Sequence, residues 1–351
     1  MILQHLKLDL RRQLINTQQA YDAWRDARTE RDRRFAGSMR WGRRNGKDYL
    51  LRKIGRRETS LGPRSASTET AYDAFNRGRE DNKNRLQGLA ARLDELAPIN
   101  VALGLGRMPE IAARILRRFD ESGLLGTQLF VVGTNAIFGY EALAGVFVEG
   151  GLLATEDIDL LYDARRGLSL AFHDVRERGL IGLLQQVDGS FAPTRPRSYR
   201  AVNRNGYMVD LIRPEPKDVF QDRLPSRLTN LSDDLESAPI FGLAWLINAP
   251  KIEAVPIDER GYPVRLVAID PRAFALHKIW LSQRPDREPL KTLRDTEQAQ
   301  AAATIATRYL RMPFEDQALS ALPSELRELV PQAMATARPE ADKPASDAPN
   351  W

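Results

Sequence analysis

Apolar residues recur at helical spacing over residues 5–35, where Leu14, Tyr21 and Trp24 fall on one face, and the pattern predicts a helix. The character changes at 38–62, "SMRWGRRNGKDYLLRKIGRRETSLG". Asn45-Gly46 is a strong hairpin signal, because a type I′ turn needs positive φ at both central residues. Gly55 can turn the chain again, so this stretch predicts a three-stranded meander. Residues 66–95 return to a helical pattern. "AYDAW" at 20–24 is echoed by "AYDAF" at 71–75, which predicts two helices packed through their aromatic residues.

From 127 onward the pattern alternates strand and helix. "QLFVV" reads as a buried strand, "TNAIFGYEALAGV" as a helix, "EDIDLLYD" as a second strand and "LSLAFHDVRERGLIGLLQQV" as a long amphipathic helix. "SYRAVNRNGYMVDLIRP" predicts a hairpin around Asn205-Gly206. Further strands are expected at 242–247, 251–256 and 263–269. Asp270-Pro271 then starts a helix through "RAFALHKIWLSQ", and two or three more helices follow to about 336. The tail is rich in Pro, Ala and charge and predicts disorder. The resulting organisation is a basic helical region at 1–100 with a β-meander at 38–62, an α+β domain at 101–269, a helical part at 270–336 and a disordered tail at 337–351.

Composition narrows the chemistry. With no cysteine, disulfides, thiolate zinc sites and cysteine nucleophiles are excluded. The three histidines, His5, His173 and His277, are too few and too scattered for a multi-histidine metal centre. No apolar run approaches the roughly 18 residues that span a bilayer. The first residues lack the order of a signal peptide, since the basic residues follow the apolar ones. These features predict a cytoplasmic protein with no membrane contact. The net charge of +5 is unevenly spread: residues 1–100 hold 22 Lys/Arg against 13 Asp/Glu, so the remainder is mildly acidic. A basic amino-terminal part points to a polyanionic partner, against the blander reading of a solvated helical surface.

Candidate chemistry sits in "LATEDIDLLYD" at 153–163. Asp157 and Asp159 are one residue apart on a predicted strand and so point to one face. Like charges on one face repel unless a cation lies between them. Magnesium takes oxygen ligands and one or two carboxylates plus substrate phosphates. Asp210 in "YMVDLIR" supplies a third carboxylate, with Val209 and Leu211 turned the other way. Upstream, Gly133-Thr134 ends a buried strand and opens a helix, offering close backbone approach, a hydroxyl and a helix-start amide to phosphate oxygens.

The order strand, Gly-Thr turn, helix, Asp-x-Asp strand and later lone Asp resembles the DNA polymerase β-like nucleotidyltransferase superfamily. The matching residues are Gly133, Thr134, Asp157, Asp159 and Asp210, over about 127–213. "GTNAI…TEDIDLL" is most similar to the bacterial branch of AbiEii-type toxins and uncharacterised nucleotidyltransferase-fold proteins. Val132 departs from the family's first glycine, and "FVEGGLLA" reads as an added turn before the acidic strand. The resemblance implies an α+β fold with a nucleotidyltransferase-like mixed sheet and flanking helices. It also implies an NTP substrate and Mg²⁺ or Mn²⁺ held by Asp157, Asp159 and Asp210. Gly133, Thr134 and Lys278 would contact the triphosphate. The implied reaction moves a nucleoside monophosphate onto an acceptor hydroxyl, with Asp210 as a candidate base, and the branch suggests a toxin–antitoxin or phage-defence setting.

Arg284, Arg287, Lys291 and Arg294 form another basic stretch, suited to acceptor or nucleotide phosphate or simply to a solvated helix start, with Asp295 placed to orient one of them. His277 reads as a packing or surface residue. Asp-x-Asp also serves glycosyltransferases, but the nucleotide-binding half that should precede it is missing, and Leu161 departs from the haloacid-dehalogenase pattern. "GRRNGK" at 42–47 is one residue short of a P-loop and is followed by Asp48, and Gly104-Leu105-Gly106 lacks a third glycine. The rival reading is a nucleic-acid-binding or antitoxin-like module with an inactive transferase fold. It rests on the 38–64 hairpin, where Arg40, Arg43, Arg44, Lys47, Arg52, Lys53, Arg56, Arg57 and Arg64 surround Trp41 and Tyr49 and could hold RNA.

Overall fold

A computed structural model describes residues 3–165, 173–216, 225–315 and 317–337. In chain order the first elements are β1 (Leu3–His5), α1 (Leu8–Arg34), β2 (Ser38–Arg44), β3 (Lys47–Ile54), β4 (Arg57–Pro63), α2 (Ala66–Ala102) and α3 (Glu110–Glu121). Next come β5 (Leu129–Val132), α4 (Ala136–Ala144), β6 (Val146–Val148), β7 (Asp157–Tyr162) and α5 (His173–Val187). They are followed by β8 (Ala192–Pro193), β9 (Arg200–Val202), β10 (Met208–Pro214), β11 (Ala238–Ile240) and α6 (Leu243–Asn248). The last are β12 (Lys251–Ala254), β13 (Leu266–Ile269), α7 (Pro271–Ser282), α8 (Pro289–Thr304), α9 (Ser324–Arg327) and α10 (Val330–Thr336). The chain divides into two compact units. One holds Asp9–Gly106 and Arg260–Pro263, and the other holds the rest.

In the smaller unit α1 and α2 run antiparallel. Asn82 Nδ2 donates to the Ala27 carbonyl at 2.9 Å, and Thr17 Oγ1 meets Asn100 Oδ1 at 3.1 Å near the other end. Strands β2, β3 and β4 form the expected meander, with Asn45 (φ 49°) and Gly46 (φ 75°) supplying the first turn and Gly55 (φ 58°) the second. The aromatic echo has a different use from the one its spacing predicts. Tyr72 and Phe75 of α2 pair with Trp41 of the meander and with Phe35, while Tyr21 stacks on Trp24 of its own helix. The meander and the turn after α1 reach these rings first.

The larger unit is built on a mixed sheet of order β12-β13-β5-β7-β10-β9-β8, with β11 beside β10. Pairs β5–β13, β7–β10 and β10–β11 are parallel and the others antiparallel. Fully buried Ile158, Leu160, Val209 and Leu211 pin β7 and β10 to the core. A one-residue slip would turn these apolar side chains out and the acids in, so burial fixes the register. Helix α4 lies close on the sheet, where a Cβ at Gly139 would meet Leu266 Cδ2 at 2.8 Å, and Tyr140 donates to the Ile269 carbonyl at 2.8 Å. The sheet with flanking helices is the α+β arrangement that the strand and helix pattern predicts and the nucleotidyltransferase-like one that the resemblance implies.

Two local expectations are corrected. Residues 242–247 are not a strand: Gly242, at φ 87°, opens α6, and Leu243, Leu246 and Ile247 are buried at helical spacing. A short apolar run cannot by itself distinguish the two periods. The long helix expected over 168–187 starts in the described residues at His173, the segment before it lying outside them, and it breaks at Gly179 (φ 65°, ψ −178°). Asp234 caps the second half, accepting from Leu180 N (2.8 Å) and Ile181 N (3.1 Å). The tail beyond 337 lies outside the described residues.

Candidate active site

Two strands, β7 and β10, carry the acids, and β5 lies beside β7. In the antiparallel β5–β7 pair Val132 opposes Asp159, and in the parallel β7–β10 pair Met208 opposes Asp157 and Asp210 opposes Asp159. Side chains that are register partners share a face, so Asp157, Asp159 and Asp210 stand together while Ile158, Val209 and Leu211 enter the core. Gly133 follows β5 directly, at φ 64°, and a Cβ there would lie 2.3 Å from Asp159 Oδ2. The Gly-Thr turn and the acidic strand are therefore in contact.

The electrostatics follow from this crowding. Burial, then the charges of Asp157 and Asp210, push the Asp159 carboxyl up to about 7, while Lys278 and Arg200 pull it back. Arg200, the register partner of Asp210 on β9, donates Nε and Nη2 to its two oxygens at 2.7 and 2.6 Å. Asp157 accepts from the Thr155 hydroxyl, and Asn135 Nδ2 donates to the Asp157 carbonyl at 2.7 Å. Among the described residues no group of three or more His, Asp or Glu side chains is arranged as a metal site. Arg200 holds both oxygens of Asp210. The donor set itself is all carboxylate oxygen, as a hard divalent cation requires, and Asp157 and Asp210 set their negative charge beside a buried Asp159, a repulsion that such a cation would relieve.

Thr134 is buried, and its hydroxyl accepts from Gln298 Nε2 of α8 at 3.2 Å. Gln298 also donates to the Leu152 carbonyl at 2.8 Å, fastening the added turn at 150–152 to the same place. Lys278 on α7 is buried, with Nζ 2.6 Å from Asp295 Oδ1. Burial lowers the Lys278 pKa, and Asp295 and Asp159 oppose that shift. Asp295 also takes Arg287, at 2.6 Å. Arg284 and Lys291 pair locally, with Asp286 and Glu288, while the Nε of Arg294 is buried with no hydrogen-bond partner among the described residues. His277 is buried between Trp245 and Trp280.

Arg200, Tyr207 and Gln298 belong to the site and escaped the sequence reading. Tyr207 is buried, its hydroxyl has no hydrogen-bond partner among the described residues, and burial with the nearby Asp157 and Asp159 raises its pKa. The alternation "SYRAVNRNGYMVD" places Arg200 and Asp210 on facing hairpin strands, a signal that pairing across the Asn-Gly turn makes readable. Gln298 carries no charge signal of any kind.

A family model described as Nucleotidyltransferase matches residues 110–323, well over half of the chain. The chain belongs to this nucleotidyltransferase family. No curated protein and no solved structure gives a significant match. The matched span of the nucleotidyltransferase runs from α3 to just before α9 and so includes the whole sheet and every acid described above. No helix among the described residues is long and apolar enough to cross a membrane.

Proposed function

We propose that this protein is a divalent-metal-dependent nucleotidyltransferase that moves a nucleoside monophosphate from an NTP to an acceptor hydroxyl. The observation that carries the reading is the convergence of Asp157, Asp159 and Asp210 on one sheet face against Gly133. Asp157, Asp159 and Asp210 would hold Mg²⁺ or Mn²⁺. When bound, such an ion neutralises triphosphate charge and lowers the pKa of an acceptor hydroxyl.

The chain's own groups do the rest. Gly133 and Thr134 give the β- and γ-phosphates close backbone approach and a hydroxyl. Lys278 offsets charge on the departing pyrophosphate. Arg200 releases Asp210, whose carboxylate accepts the proton of the acceptor hydroxyl. The acceptor oxygen bonds to the α-phosphorus as the bond to the bridging oxygen breaks, and pyrophosphate leaves. Positioning and electrostatics supply most of the acceleration in such a site. The motif likeness to AbiEii-type toxins supports a toxin–antitoxin or phage-defence setting, with RNA as the first acceptor to try.

The test incubates the protein with α-labelled NTPs, Mg²⁺ and cell lysate and asks which molecule gains label. Label transfer that Asp157→Asn abolishes supports the reading, and no transfer to any lysate component by the wild type sinks it. The second reading, a nucleic-acid-binding or antitoxin-like module with an inactive transferase fold, is favoured by the double hydrogen bond of Arg200 to Asp210. It predicts nucleic-acid retention without transfer in wild type and aspartate variants alike.

A further inference from the structure

The positive charge of the amino-terminal hundred residues has one address. Of 22 Lys/Arg and 13 Asp/Glu there, 12 and 3 lie within residues 31–64, leaving ten of each in the flanking helical stretches. A solvated helical surface would not concentrate its excess in this way. The segment ends α1 and forms the meander β2–β4.

Register sorts the meander into two faces. Trp41, Leu50 and Arg52 are on one, which packs on α2: Trp41 meets Tyr72, and the Arg52 guanidinium lies 5.3 Å from the Phe75 ring centre. The other face pairs Arg44 with Lys47, Gly42 with Tyr49, Arg40 with Leu51 and Ser38 with Lys53. Leu51 is buried beneath it, where a Cβ at Gly42 would meet Leu51 Cδ1, and β4 adds Glu58 opposite Lys53, Ser60 opposite Leu51 and Pro63 opposite Tyr49, so this face presents cations, one carboxylate and a half-buried tyrosine beside an exposed proline. Arg40 is spent on Glu58 at 2.8 Å and Arg64 on Glu69 at 2.7 Å. The side chains of Arg43, Arg44, Lys47, Lys53, Arg56 and Arg57 are exposed and make no hydrogen bond or ion pair among the described residues.

We propose that the open face of this meander, carried by Arg44, Lys47 and Lys53 with Tyr49 between them, binds the phosphate backbone of a nucleic acid. Lys47 and Lys53 are six residues apart on β3, about 20 Å at ~3.3 Å per residue. A free nucleotide cannot touch both ends, whereas about six nucleotides of one strand cover that length at ~3.4 Å each. Tyr49 offers a ring for stacking on an unpaired base. The surface shares no residue with the transfer chemistry proposed above, so either can fail alone.

The full chain is titrated into fluorescein-labelled single-stranded RNA of about twenty nucleotides, several times the length of the face at ~3.4 Å per nucleotide. Duplex DNA and phosphatidylserine vesicles are run in parallel. Saturable, salt-sensitive binding to a nucleic acid is expected. The triple variant Arg44→Glu, Lys47→Glu, Lys53→Glu should weaken it at least about tenfold and make the log–log salt slope shallower by about 2, at ~0.7 per lost single-strand contact. Circular dichroism checks its fold, and Lys47→Gln with Lys53→Gln replaces it if the charge reversals unfold the chain. Asp157→Asn should bind RNA as the wild type does, whatever its activity. The inference is overturned if neither nucleic acid binds, if the variant binds as tightly as the wild type, or if the vesicles are the preferred ligand. Label transfer to a small molecule without nucleic-acid binding would sink this surface and leave the transferase reading standing.

Discussion

The Asp159 carboxylate occupies the space in which any side chain at position 133 would begin, its Oδ2 2.3 Å from the Cβ that Gly133 lacks. Gly133 also sits at φ 64°, where an L side chain is strained. Gly133→Ala therefore has to move either the Asp-x-Asp strand or the turn. The expected outcome is a loss of roughly 1–3 kcal/mol in denaturant unfolding together with loss of nucleotidyl transfer. An alanine variant as stable and as active as the wild type would show that the turn and the acidic strand are not tightly coupled.

Arg200 and a divalent cation would compete for the oxygens of Asp210. Hydrogen bonds between charged groups contribute about 1.5–3 kcal/mol, and about 1.4 kcal/mol is tenfold in affinity. Arg200→Ala should then bind Mn²⁺ about tenfold or more tightly than the wild type in an electron paramagnetic resonance titration. Without metal it should be less stable, because three carboxylates remain with one counter-charge fewer. Unchanged or weaker Mn²⁺ binding would mean that Arg200 supports the metal site instead of blocking it.

Much of this site was legible because strand alternation is a strict rule. Asp159 and Asp210 each stand between fully buried residues and Asp157 beside one, and burial of Ile158, Leu160, Val209 and Leu211 leaves the acids one common face. The Asn45-Gly46 hairpin was legible for a similarly local reason, the φ that its turn demands. What escaped was set by tertiary contact. The run 243–248 is too short for its period to decide between strand and helix, and packing decided. Gln298 reaches Thr134 from 164 positions away, and nothing near it in sequence marks it. The two aromatic echoes found other partners because the meander intervenes, and no pattern within either helix encodes that.

Asp295 holds two cations at once, Lys278 at 2.6 Å and Arg287 at 2.6 Å, and is itself fully buried. Removing one partner from a buried ion pair leaves an uncompensated charge and costs about 3–5 kcal/mol. Asp295→Ala should approach that loss in urea unfolding. Replacing the pair with apolar side chains, Lys278→Met with Asp295→Leu, should recover most of it, since burying well-packed hydrophobes avoids the desolvation cost of charge. If Lys278 also serves the triphosphate, the double variant would be folded yet impaired in transfer. A single Asp295→Ala variant of wild-type stability would show that this corner is open to water.

His277 provides a pH test of the same helix. Burial, followed by the charge of Lys278, lowers its pKa from 6.5 to about 3; Arg287 acts in the same sense and Asp295 against it, while the rings of Trp245 and Trp280 pack around it. Above pH 6.5 the imidazole is neutral folded or unfolded and contributes no pH dependence. Between 6.5 and about 3 the unfolded chain takes up a proton that the folded chain refuses, so stability falls as pH falls, by about 1.4 kcal/mol per unit at the steepest. His277→Leu removes that group. Its unfolding free energy should decline less steeply than the wild type's from pH 6 to 4, whatever the substitution costs at pH 8. Parallel curves for the two proteins over that window would mean that the ring is protonated in the folded state, and the aromatic pocket would then have to admit water to it.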